Sequence, residues 1–127
     1  NIGVIANGAG LTMATLDSLN RFNGKGGVFL DLGGTDDPEK VREAFVLMHK
    51  AKPKVIFLNI FGGITKCDTV ALGIRDALST MTEKIPVVAR IRGRNEEDGK
   101  RILSDSGFIA TEDLELAAKK AAELGGD

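Results

Sequence analysis

Residues 53–78, PKVIFLNIFGGITKCDTVALGIRDAL, decide the fold. Residues 55–60 are almost wholly apolar, the pattern of a parallel strand covered on both faces. Phe61-Gly62-Gly63-Ile64-Thr65 follows, and from Asp68 onward the apolar positions shift to helical spacing at Val70, Ile74, Ala77, Leu78 and Met81. A change of period across a Gly-Gly pair is a strand-to-helix junction. A helix leaves its first N–H groups without intrahelical partners and carries partial positive charge at that end. A glycine turn feeding it therefore suits a phosphate or a carboxylate. One terminus contributes about 0.3–1 kcal/mol when exposed and up to about 2 when partly buried, so tight binding needs further donors.

Outward from this stretch the same alternation recurs five times, the βα repeat of a parallel sheet with helices on both faces. The strands are expected at 2–6, 28–32, 55–60, 87–91 and 108–110. Helices follow at 11–22, from Pro38 with Asp37 as cap, from about Asp68, from Asn95 to about Ser104, and from Thr111 as cap. Asn23-Gly24 stops the first helix. The last helix is expected to bury Leu114, Ala117, Ala118, Ala121 and Leu124 and to stop at Gly125-Gly126. Five such units make an α/β, three-layer fold with a five-stranded parallel sheet in the flavodoxin-like order 2-1-3-4-5. In that order the turns after strands one and three, residues 7–10 and 62–65, converge at one crevice, with Gly33-Gly34-Thr35 beside them.

The 127 residues, 43% hydrophobic and 28% charged, suit one globular domain. Seventeen basic and 18 acidic residues give a net charge of −1, which offers no electrostatic case for nucleic acid or an anionic membrane. There is no signal peptide and no apolar run of spanning length. The single cysteine excludes an internal disulfide and fits a reducing compartment. Because the chain opens at Asn1 and without methionine, it reads as an excised part of a longer protein.

Several motifs compete for function. Gly8-x-Gly10-x-x-Met13 with Asp31 imitates a dinucleotide fingerprint but lacks the third glycine, so Asp31 and the glycines are read as turn-shaping. Asn23-Gly24-Lys25-Gly26-Gly27 runs from helix to strand and is read as a turn. Cys67 has no histidine near it in sequence and is read as structural, and His49 as a surface residue at a helix end. Arg90 is a candidate for an anion or partner contact, with Arg92 expected to point away from Arg90 and Arg94. There is no metal-ligating cluster and no adjacent Ser/His pair.

Four segments, taken together, resemble one family. Asn1-Ile2-Gly3 with Asn7-Gly8-Ala9-Gly10-Leu11 and Met13-Ala14-Thr15 is similar to its NIG…NGAGLAMAT, and Phe29-Leu30-Asp31-Leu32-Gly33-Gly34 to its FLDVGG. Asn59-Ile60-Phe61-Gly62-Gly63-Ile64 with Cys67-Asp68 is similar to NIFGGI…CD, and Pro86-Val87-Val88-Ala89-Arg90 to PVVVR. The chain thus resembles, nearly end to end, the carboxyl-terminal CoA-ligase domain of the β subunit of succinyl-CoA synthetase. It departs at Gly33-Gly34-Thr35-Asp36-Asp37-Pro38, more acidic than the family's GGGA turn, and at Arg92 and Arg94.

The resemblance implies an ADP- or GDP-forming ligase that joins a small carboxylate to coenzyme A through an acyl phosphate and a phosphohistidine. The parent enzyme would use ATP or GTP, Mg2+ and coenzyme A, with no cofactor assigned to this domain. Its partners would be an α subunit carrying the phosphohistidine and the ATP-grasp domain of its own subunit. Asn7, by its amide, and Gly63, Ile64 and Thr65, chiefly by backbone N–H groups, would contact substrate or phosphate. The helix starting near Thr65 would point at the phosphohistidine. The implied compartment is the cytoplasm, or the mitochondrial matrix in a eukaryote, and the domain alone is expected to be inactive. Alternatives are a flavodoxin-like binding module, which would lack Trp or Tyr to stack on a flavin, and an oligomerising interaction domain.

Overall fold

The apolar runs become five parallel strands, and the amphipathic stretches between them become helices on either side. The computed structural model describes residues 2–125. In chain order the elements are β1 (Ile2–Ala6), α1 (Ala9–Arg21), β2 (Gly26–Asp31), α2 (Pro38–Lys50), β3 (Val55–Gly62), α3 (Cys67–Leu78), β4 (Val87–Gly93), α4 (Glu96–Asp105), β5 (Ile109–Thr111) and α5 (Leu114–Gly125). The sheet order is β2-β1-β3-β4-β5, every pair parallel, as the repeat predicts.

Successive side chains of a strand face opposite sides, and the core divides accordingly. Ile5, Ile56, Leu58, Ile60 and Ile91 pack with Val41 and Phe45 of α2, Val70 and Ile74 of α3, and Leu103 of α4. On the other face Val4, Val55, Phe57 and Val88 pack with Leu19 of α1 and Ala117, Ala118 and Ala121 of α5. Helices α1 and α3 therefore lie on opposite faces, and the ends of β1 and β3 are left side by side.

Close approach fixes how α3 sits between its neighbours. A Cβ on Gly73 would lie 2.7 Å from the Pro38 carbonyl oxygen and 2.9 Å from Val41 Cβ, and one on Gly99 would lie 2.9 Å from Cys67 Cβ. Cys67 is fully buried against α4. Burial pushes its thiol up to about 11 despite the Gly62 N–H beside it, which supports the structural reading of this residue.

Several expectations shift. Strands β3 and β4 run on to Gly62 and Gly93, which pair with each other, and β2 begins at Gly26 because Ile2 pairs with it. Helix α3 ends at Leu78, leaving Met81 beyond it but still packed on the core. Asn95 is not a side-chain cap: it is left-handed at φ 61, and its amide donates to Asp68 3.0 Å away. Asp113 caps α5 by accepting from Leu116 N, while Thr111 accepts from Asp113 N. Leu124 is exposed, while Ala121 and Ala122 beside it are buried. Residues two apart share a face of a strand, so Arg92 does not oppose Arg90; its charge bears on Arg90, whose pKa is lowered first by burial and then by Arg92. Asn1 and the Gly126 half of the helix stop lie outside the described residues.

Two measurements follow from this packing. Gly73→Val should destabilise the fold by about 1–3 kcal/mol in urea denaturation through overpacking, whereas Gly10→Ala, whose added Cβ meets nothing within 4 Å, should not. Alkylation of Cys67 at pH 8 should be at least about a hundredfold slower in the folded chain than after unfolding, since only the thiolate reacts and the folded side chain is fully buried. The raised folded pKa also means that this group's contribution to stability is present below pH 9.0 and is lost as pH climbs toward about 11.

Candidate functional site

Three turns meet at the carboxyl edge of the sheet because β1 is inserted between β2 and β3. At the end of β1 the Asn7 amide donates from Nδ2 to the Phe61 carbonyl (2.9 Å) and accepts at Oδ1 from Phe61 N (3.0 Å). At the end of β2 one oxygen of Asp31 accepts from both Gly8 N (2.7 Å) and Gly33 N (2.8 Å). That bond pair bears out the turn-shaping reading of Asp31. The left-handed Gly8, at φ 113, and Gly33, at φ 67, let the two turns close on it.

The third turn is held at its far end by the segment after β2. The hydroxyl of Thr65, which is buried, donates to the Thr35 carbonyl. Lys66 N donates to Asp36 Oδ1 (2.9 Å), and Lys66 Nζ lies 3.3 Å from the other Asp36 oxygen. The Asp36 carboxyl is held below the usual carboxylate range, first by the Lys66 main-chain N–H and then by the Thr69 hydroxyl.

Between these ties lies a cleft of about 310 Å3. It is lined by Asn7 and Gly8 from the first turn, Gly33 and Gly34 from the second, and Phe61, Gly63, Ile64 and Thr65 from the third. The four residues that the resemblance assigned to substrate or phosphate, Asn7, Gly63, Ile64 and Thr65, all line it, whereas Arg90 does not. Cβ atoms added to Gly8, Gly33, Gly34 or Gly63 would meet nothing within 4 Å, so these glycines leave the floor open. Among the described residues, the hydrogen bonds that build the rim leave the N–H groups of Gly63, Ile64 and Thr65 unused.

The helix end itself differs from expectation. α3 begins at Cys67 rather than near Thr65, with Lys66 as its N-cap. Lys66 N is taken by Asp36 and Cys67 N by the Arg94 carbonyl at 3.0 Å. Two of the N–H groups at the helix start are therefore already partnered, and the loop ahead of the helix adds three that are not.

Beneath the cleft a polar chain braces the sheet. Asn59 is fully buried; its Nδ2 donates to Thr15 Oγ1 (2.7 Å) and its Oδ1 accepts from Arg90 (3.3 Å). Arg90 also donates to the Glu112 carbonyl (3.2 Å) and stacks 5.8 Å from the Phe61 ring centre. The structure thus gives Arg90 internal partners. An asparagine inside an apolar run was the sequence signal for Asn59; nothing local marked Asp36. His49 lies on α2, its Nε2 2.7 Å from the Glu83 carbonyl oxygen, and has no part in the cleft.

Comparison with known proteins supplies a family. A family model described as CoA-ligase matches residues 5–124. The succinate–CoA ligase [ADP-forming] subunit beta of Pyrobaculum islandicum is 55% identical over 126 residues, covering 98% of this chain and 33% of that protein. Its counterpart from Ignicoccus hospitalis is 50% identical over 125 residues, with 98% and 33% covered. The chain therefore spans about a third of the length of these relatives. The crystal structure of PH0766 from Pyrococcus horikoshii OT3 shares the fold, with a TM-score of 0.79 at 16% identity, over 100% of this chain and 37% of that one. A match across nearly the whole sequence, with half or more of the residues identical to these relatives, establishes that this chain belongs to the CoA-ligase family.

Proposed function

We propose that this chain is the phosphohistidine- and substrate-binding domain of a nucleotide-dependent carboxylate–CoA ligase, the β subunit of a succinate–CoA ligase, acting with an α subunit. The observation that carries this reading is the set of unused N–H groups at Gly63, Ile64 and Thr65, residues that line a cleft where three glycine turns converge. Such donors suit the oxygens of a phosphoryl group or a carboxylate. Asn7 keeps one amide hydrogen and one lone pair beyond its two bonds to Phe61, and with these it would contact the ligand.

A single neutral loop stabilises a phosphoryl group only modestly, since the two helix N–H groups nearest it are already taken. The remaining donors would come from the α subunit, which in this reading carries the phosphohistidine and binds coenzyme A. Exposed apolar side chains at the rim, Ile64 and Phe61, are suited to such a docking face. The nucleotide and its Mg2+ would be held by the ATP-grasp domain of the same subunit, outside this chain. Within the described residues no helix is long and apolar enough to cross a membrane, and the proposed compartment is the cytoplasm, or the mitochondrial matrix in a eukaryote.

The test uses the full-length subunit with its α-type partner, following acyl-CoA formation. Gly63→Val, which fills the cleft floor, should lower kcat about 10- to 100-fold, equivalent to about 1.4–2.7 kcal/mol of lost transition-state stabilisation. Unchanged turnover would remove the loop from the reaction. The 127-residue chain alone, given ATP, coenzyme A and succinate, should form no succinyl-CoA, and turnover there would contradict the two-subunit reading.

A further inference from the structure

Asp36 has a side chain about one-third exposed and could face water. Instead it lies across the start of α3. One oxygen accepts from Lys66 N and the other approaches Lys66 Nζ, and the nearby Thr69 hydroxyl helps hold the carboxyl below its usual range. Its neighbour Thr35 offers a carbonyl to the Thr65 hydroxyl. Two consecutive residues after β2 thus grip two consecutive residues before α3. At the other end of the same loop the Asn7 amide grips both main-chain groups of Phe61.

From this we infer that Asp36 is a positioning residue for the anion-binding loop: with Thr35 it closes the second of two clamps that hold the N–H groups of Gly63, Ile64 and Thr65 pointing into the cleft. The inference rests on the function proposed above. The loop contains an exposed isoleucine at Ile64, and its one buried side chain, Thr65, is the one tied to Thr35. Both ends of the loop are thus fixed, and donors fixed before the ligand arrives need no reorganisation when it binds. By taking Lys66 N, Asp36 also occupies the donor that directly follows the loop.

Two substitutions separate positioning from general stability. In the 127-residue chain, 15N relaxation should give rigid order parameters, about 0.85, for the amides of residues 63–65, and Asp36→Ala should lower them below about 0.6. Asp36→Asn, whose Oδ1 still accepts from Lys66 N, should keep them rigid. A loss of global stability would not produce this local pattern. In the full-length subunit with its partner, Asp36→Ala should lower kcat about tenfold and Asp36→Asn should restore it to within about twofold. Rigid amides in Asp36→Ala, or an Asp36→Asn variant as impaired as Asp36→Ala, would overturn the inference. Gly63→Val assayed in parallel keeps the two ideas apart. If it abolishes turnover while Asp36→Ala does not, the positioning role fails and the proposed function stands; if both are silent, the proposed function fails.

Discussion

The carboxamide of Asn7 bonds the main chain of Phe61 in both directions, joining the ends of two strands that are neighbours in the sheet but 54 residues apart in the chain. No aspartate or leucine could replace it, because only an amide both donates and accepts along one edge. With β1 and β3 fixed at their carboxyl ends, Asp31 draws in the turn after β2 by accepting from Gly8 and Gly33 at once. The cleft exists because three turns from distant parts of the sequence are tied by a few short polar side chains. The buried strands supply the platform beneath, and Asn59 with Arg90 braces it from below.

The balance of charge at this edge is informative. A helix N-terminus attracts anions, yet at α3 the chain supplies its own, Asp36, and a carbonyl, Arg94, to two of the available N–H groups. The proposed ligand-binding donors lie one step back along the chain, in Gly63-Ile64-Thr65. A loop of three neutral donors is a weak anion site by itself. That weakness is the reason the proposal has another subunit complete the site; the relatives named above are themselves designated beta subunits.

Much of this was legible from residues alone. Apolar runs and helical spacing marked all five βα units, and the Asp37-Pro38 cap appears as expected, with Asp37 accepting from Glu39 N. The glycine turns identified the cleft because glycines at strand ends on one side of a parallel sheet must meet there. What failed was local chemistry decided by tertiary contacts. Asn95 looked like a cap, but the tight approach of Gly93 to Gly62, where an added Cβ would sit 2.4 Å from the Gly62 carbonyl oxygen, bends the chain into a left-handed turn. Glu96 then reaches back to Gly93 N. Leu124 had the right spacing for the core, but Ala121 and Ala122 are the residues buried on that part of α5 and Leu124 is left exposed. The role of Asp36 could not be read at all, since its partners lie 30 residues away.

If the unused N–H groups of Gly63, Ile64 and Thr65 form the anion site, titration of the 15N-labelled chain with inorganic phosphate should register there in the backbone amide shifts. Saturable, salt-sensitive shifts are expected, largest at residues 63–65, with smaller ones at Asn7 and Gly34. Shifts centred elsewhere, or none at these three amides up to saturating phosphate, would contradict that assignment.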